Sequence, residues 1–317
     1  MESNLKAYLW CMAAGWTLCV ILYYFLTKRK TGAGKALRAA GSAWILSPVF
    51  GLVFAKLCYM LLRFNIIPHG EDFFPYLTDI RVEELCFSGA VIGVILSICL
   101  SSRIAGIQTR QALNCFAPTG ALMAAVARMS EMHLGMLGVG MYLEEGFFPF
   151  AQPIVWDNWT EWYLAVFTLE AFFALIAMVL SLIRKDEPWC FLRTLFYLCL
   201  PQVFCESLRM NTIAWLFVKS EQVICFAVCE GILVWAALKT DYRKFRHWVP
   251  ALIGFIVLLL TIAEEFALDK TDIPHWITYG LMLIGLGAMA LAEHKSQKLL
   301  GVSFRGGSHS EKQKGSE

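Results

Sequence analysis

Arg128, Glu131 and His133 fall within six residues of each other in an otherwise apolar stretch, "NCFAPTGALMAAVARMSEMHLGMLGVG", from Asn114 to Gly140. Ionisable side chains at membrane depth cost roughly 2.5–3.5 kcal/mol each on insertion scales, so they face an interior cavity or pair with one another. Lys56, Glu170, Glu206, Arg209 and Glu230 sit in comparable apolar runs. Glu206 and Arg209 are spaced i,i+3, as are Arg128 and Glu131, so each pair can neutralise itself on one helix. Pairing of that kind needs no ligand. The alternative is an anionic guest: two guanidiniums at one depth can hold a lipid phosphate bidentately. Lys56 would then add a third positive charge, and Tyr8 and Tyr59 would hydrogen-bond the headgroup or act as plain interface anchors. The sequence has no nucleophile elbow, phosphate-cradling loop, HExxH helix or basic–aromatic patch for nucleic acid.

These residues need apolar helices to carry them. The 317-residue chain is 58% hydrophobic and only 16% charged, with a mean hydropathy of +0.59; soluble domains carry roughly 25% charged residues. The composition predicts an all-α, polytopic integral membrane protein. The eleven cysteines include no CxxC pair and no zinc-spaced His/Cys set, so neither a metal site nor a cofactor is expected. Positive charge follows the first apolar run and does not precede it, which predicts an uncleaved first helix.

Spans of about 20 apolar residues are predicted at Leu5–Leu26, Ala43–Leu62, Leu85–Ser101, Leu113–Met129, Trp162–Ile183, Trp189–Met210, Ser220–Leu238, Val249–Leu268 and Trp276–Ala292. The basic loop Lys28–Arg38, Arg103 and Arg110, Arg184 and Lys185, and the run Lys239–Arg246 mark one side. The loop Phe64–Glu84, with Glu71, Asp72, Asp79, Glu83 and Glu84, and the hairpin turn with Glu264, Glu265, Asp269 and Asp272 mark the other. The positive-inside rule then places the N-terminus outside and the C-terminus in the cytoplasm, with nine helices. Residues 131–161 lack Lys and Arg, carry Glu144, Glu145 and Asp157, and are rich in Phe and Trp. They predict an external segment on the outer leaflet, with a short interfacial helix. The tail from 294 to 317 reads as disordered and cytoplasmic. No internal repeat is visible.

Several stretches fall in a familiar order. "AYLWCMAAGW", with Tyr8, is similar to the opening segment of the prolipoprotein diacylglyceryl transferases. "GLVFAKLCYMLL" resembles their "GxxxGARLGYVLF", with Ala55, Leu57 and Tyr59 matching and Lys56 in place of arginine. "FSGAVIG" resembles "FHGGLIG" through Gly89 and Gly93, with Ser88 at the histidine. "APTGALMAAVARMSEMH" is similar to the signature "AP…GxxxGRxGNFxNxE" at Ala117, Pro118 and Arg128, with Glu131 at its first asparagine. "WTEWYLAVFTLEAFF" matches "PSQLYEALLEGLL" at Tyr163. "PQVFCESLR" matches "GRFxVEFFR" at Glu206 and Arg209, with Gln202 at an arginine, and Gln222 stands where the family has "MGQ".

The resemblance covers residues 5 to 240. It implies a seven-helix transferase-like core over 1–240, an extra transmembrane hairpin over 241–293, and a bacterial cytoplasmic (inner) membrane location. It also implies transfer of a diacylglyceryl group from phosphatidylglycerol to the lipobox cysteine of a prolipoprotein signal peptide, with glycerol phosphate leaving. Arg128 and Arg209 would hold the phosphate, Glu206 would orient Arg209, and Tyr8 and Tyr59 would line the lipid site. Glu131 or His133 would accept the proton, with Lys56 compensating for a lost charge. The departures at Ser88 and Gln202 leave two other readings open. One is a diverged, non-catalytic lipid- or signal-peptide-binding protein on the same scaffold; the other is a transporter.

Overall fold

The helix from Ala33 to Leu62 shows which solvent the protein is built for. Up to Ala55 its inward residues are small, Ala36, Ala39, Ala40, Ala43, Ser47, Gly51 and Ala55, whereas Leu37, Trp44, Ile45, Val49 and Val53 point outward. Small residues at helix contacts with large apolar ones outside are the pattern of helices packed in lipid. The computed structural model describes residues 4–63, 73–156, 158–210, 214–215, 218–240, 243–271 and 273–314. Among them the protein is an all-α, polytopic membrane protein in which seven helices are long and apolar enough to cross a membrane. Glu71, Asp72, Asp157 and Asp272, used above to assign loop charge, lie outside the described residues.

The first part of the chain, Met1–Leu198 with Leu208–Ile213, forms one unit. It contains α1 (Leu5–Thr31), α2 (Ala33–Leu62), the short α3 (Phe73–Thr78), α4 (Phe87–Ile104), α5 (Thr109–Ser130) and α6 (Val166–Ile183), together with the first half of α7 (Cys190–Leu208). The basic stretch after α1 is not a loop. Gly32, at φ 88°, is the single break between two helices that carry Lys28, Arg29, Lys35 and Arg38; a side chain is strongly disfavoured at that φ. Gly89 and Gly93 of α4 press against the α2 backbone, where an added Cβ would meet the carbonyl oxygens of Phe54 and Phe50. Ser47 and Ser97 hydrogen-bond across the same contact. Trp16, Tyr23, Ala43, Ile98 and Phe116 form the apolar centre, with the Tyr23 and Phe116 rings edge-on at 5.8 Å. At the start of α5, Arg110 Nε and Asn114 Nδ2 donate to Pro188 O at 2.9 and 3.0 Å, which ties α5 to the turn before α7.

The segment expected to hold an interfacial helix holds a sheet. Two 3-10 turns, Glu131–His133 and Gly135–Gly138, lead into β1 (Tyr142–Leu143), β2 (Ala151–Val155) and β3 (Thr160–Leu164), antiparallel in the order β1-β3-β2. Ile154, Val155, Trp162 and Tyr163 are strand-forming types, and Pro153 sits on an edge strand, where its missing N–H costs least. The expected fifth span therefore begins at Val166 and not at Trp162. Trp156 Nε1 and Tyr163 OH both donate to Glu161, at 2.9 and 2.7 Å, and brace the sheet.

The second unit is Cys199–Ser207 with Ala214–Glu317. It includes α8 (Ser220–Thr240), α9 (Phe245–Lys270) and α10 (His275–Lys314). Within this unit α8 packs on the two helices that follow it. Gly254 of α9 lies against Glu230 and Leu233 of α8, and Gly285 of α10 against Val257 of α9. α10 also continues past His294, where disorder was expected. Glu293, Ser296 and Leu300 are buried at helical spacing, so packing holds this stretch in the helix.

Candidate functional site

Chain direction brings the polar residues of the first unit to one end. α1 and α4 begin there, α2 and α5 finish there, and α6 places Glu170 in its second turn. Arg128 closes α5, and Glu131 opens the 3-10 turn that follows. Arg209 arrives just beyond α7 and is fixed by its backbone. It forms an antiparallel bridge with Gly140, and Met210 N donates to Val139 O at 3.4 Å. Gly140 is closed in by Leu208 O and Val166 Cγ2, so only glycine fits.

The side chains make a four-charge cluster. Glu131 bridges two guanidiniums, with one oxygen 2.6 Å from Arg128 Nη1 and the other 2.6 Å from Arg209 Nη2. Glu170 takes Arg209 edge-on, with Nε at 3.1 Å from one oxygen and Nη2 on the other. Arg128 Nε also lies 3.3 Å from Glu170. The Arg128 guanidinium stacks 3.8 Å from the centre of the Phe87 ring, a cation–π contact. Arg128 is 4% exposed, so its charge is compensated by these carboxylates and not by water. Two cations and two anions leave the group neutral. Burial raises the pKa of Glu131, but the Arg209 and Arg128 guanidiniums outweigh that effect and hold the carboxyl below its ordinary range.

The other candidates gather around this cluster to different degrees. Tyr8 stands near enough to Glu131 and Arg128 to feel both charges. His133 sits on the same turn as Glu131, its Nε2 3.8 Å from Cys11 Sγ, while its carbonyl accepts from Asn4 N at 2.9 Å. Lys56 is held by other groups. Its Nζ pairs with Glu84 at 2.5 Å, donates to Asp79 O at 2.9 Å and lies over the Tyr76 ring at 4.3 Å. Tyr59, one turn on, is buried with the Arg63 guanidinium 5.8 Å from its ring centre. Glu206 belongs to the second unit, where Gln202 Nε2 donates to it at 3.3 Å and Lys219 Nζ takes its main-chain oxygen.

Three contributors, Glu170, Glu84 and Phe87, have no phosphate, lipid or proton role in the sequence reading. Glu170 carried a signal, being an acid in an apolar helix with no cation at i±3 or i±4. Glu84 was one of several acids in a loop, and Phe87 had no signal at all. Compared with known proteins, the chain matches no family model and no curated sequence.

Proposed function

We propose that the chain is a non-catalytic membrane protein that recognises the phosphate of an anionic phospholipid, phosphatidylglycerol or a related lipid, between Arg128 and Arg209. The carrying observation is the position of Glu131. One carboxylate with one oxygen on each guanidinium occupies the gap that two oxygens of a phosphodiester would occupy. Glu131 then acts as an internal anion that the lipid displaces, while Glu170 stays on Arg209. Displacement of a phosphate leaving group needs positive charge to spare. Here both guanidiniums are matched by carboxylates, which favours binding over transfer.

In this reading all nine long helices span the membrane, α5 and α7 included, since they carry the cluster and pack among the apolar helices. The N-terminus lies outside and the C-terminus in the cytoplasm of a bacterial inner membrane. The test is lipid binding to purified protein in detergent by native mass spectrometry, phosphatidylglycerol against phosphatidylcholine. Arg209→Ala is expected to lose the preference. Glu131→Gln is expected to bind phosphatidylglycerol more tightly, because the competing anion is gone. Unchanged or weaker binding by Glu131→Gln removes the reading.

The second reading is diacylglyceryl transfer to a prolipoprotein cysteine, as the sequence resemblance implies. It draws on the convergence of Tyr8, Arg128, Glu131, His133 and Arg209 on one end of the first unit. Transfer of radiolabelled diacylglyceryl to a lipobox peptide, lost in Arg128→Ala, would establish it in place of the first.

A further inference from the structure

α1 carries an exposed thiol beside an imidazole. Of the eleven cysteines, all among the described residues, Cys11 alone is exposed. Its Sγ lies 3.8 Å from Nε2 of His133, 122 residues further along the chain. The main chain fixes that approach. Asn4 caps α1, its side-chain oxygen accepting from Ala7 N at 3.2 Å, and donates its own N–H to His133 O at 2.9 Å. The turn that carries the imidazole is thereby fastened to the helix that carries the thiol. The surroundings are apolar. Leu18, Ile21 and Phe25, at i+7, i+10 and i+14 from Cys11, share its face of α1 and are all exposed. Met132, next to His133, is 47% exposed, and Trp10, next to Cys11, is 76% exposed. In a polytopic membrane protein such a face meets lipid chains, and an exposed tryptophan marks the headgroup level.

We propose that Cys11 is a self-modifying S-acylation site, with His133 as the base and a membrane-dissolved long-chain acyl donor as the substrate. A nucleophile within reach of a base is the arrangement that covalent chemistry needs, and a thiol without such help is only a few per cent thiolate at pH 7. With the ring proton on Nδ1, His133 Nε2 takes the proton from Cys11 Sγ. The sulfur attacks the acyl carbonyl carbon, a C–S bond forms, and the bond to the leaving sulfur or oxygen breaks. His133 returns the proton to that leaving atom. Thiol and donor thus become thioester and free thiol or alcohol, with no change of oxidation state. The donor is an acyl thioester or the acyl ester of a phospholipid. Both present the same carbonyl, and both partition to the lipid-facing side on which Cys11 opens. The chain offers no second exposed thiol among the described residues, so a disulfide within one molecule does not compete. A stable thioester is a modification and not a turnover, so the site adds to the anion-binding reading without resting on it.

The experiment incubates the purified full chain in detergent with radiolabelled palmitoyl-CoA in one arm and with phosphatidylglycerol labelled in its acyl chains in the other. Hydroxylamine-sensitive label on the chain is the expected result from one donor or both, and the arm that labels names the source. Cys11→Ser should abolish it. At pH 7 His133→Gln should slow it about tenfold to thirtyfold, the gain available from ionising a thiol that is otherwise a few per cent thiolate. At about pH 9.5, where an unassisted thiol ionises, that gap should close to about twofold. No label from either donor overturns the site, as does label retained in Cys11→Ser. A His133→Gln rate equal to the parent's at pH 7 also overturns it, because Cys11 is then an ordinary exposed thiol. So does a gap that stays the same at both pH values, because His133 then shapes the site without acting as its base.

Discussion

Arg209 meets Glu170 edge-on, Nε and Nη2 each on a separate carboxylate oxygen, although 38 residues separate them in the chain. The same Nη2 also reaches Glu131 at 2.6 Å. One guanidinium is thereby shared between a helix and a turn, and Arg128 repeats the sharing from the other side. The cluster acts as a clasp at this end of the first unit, whether or not a lipid displaces Glu131.

Removing Glu170 leaves two guanidiniums with one carboxylate between them. A buried charge without its partner costs about 3–5 kcal/mol, whereas replacing both partners with apolar residues is often neutral. Glu170→Ala is therefore expected to lower the unfolding midpoint sharply in detergent, and Glu170→Leu with Arg209→Met to recover most of the loss. A double variant no better than the single one would show that the pair contributes more than mutual compensation.

The position of Arg209 depends on a glycine. A Cβ at Gly140 would run into Leu208 O and Val166, and backbone is slow to yield. Gly140→Ala should move the Arg209 backbone and open the fork on Glu131. The expected result is loss of phosphatidylglycerol preference comparable to Arg209→Ala, in a protein that still inserts. Lipid preference equal to that of the parent would place the anion site elsewhere.

The Arg128–Glu131 pair was legible in the sequence because i,i+3 spacing on a helix fixes the geometry locally. Glu170 was legible only as an acid in need of a partner; which cation it meets is decided by how α5, α6 and the end of α7 pack. Lys56 illustrates the same limit. Its charge and depth suggest a phosphate partner, whereas the contacts it makes are with Glu84 and the Tyr76 ring, and nothing local marks Glu84 apart from Glu83. The sheet is not legible because Trp and Tyr suit both strands and membrane interfaces. Apolar length alone marks the chain as helical and polytopic, whereas the continuation of helix through Lys28–Arg38 turns on the single glycine at 32.

Phe87 gives a test of how Arg128 is held. Its ring stacks on the guanidinium, a contact worth about 0.5–2 kcal/mol, more where water is excluded. Phe87→Leu keeps the apolar volume but removes the π face. A midpoint loss within that range is expected, with Phe87→Tyr close to the parent. Equal losses in both would point to shape alone.

Acidity tests the cluster through Glu131, which lies on the turn after α5 and outside the spanning helices. Burial acts to raise its pKa, but Arg209 and Arg128 hold it below the ordinary carboxylate value. A carboxyl depressed in the folded state adds stability that is complete above its unfolded pKa, about 4.3, and is lost as pH falls through the lower folded value. In detergent the unfolding midpoint should therefore stay level in its Glu131-dependent part from pH 8 to about 5 and fall in more acid solution. Glu131→Gln, which cannot titrate, should show a shallower fall from a lower plateau. A parent midpoint that rises on acidification, or parallel curves for parent and variant, would mean that Glu131 does not hold the two arginines as an anion.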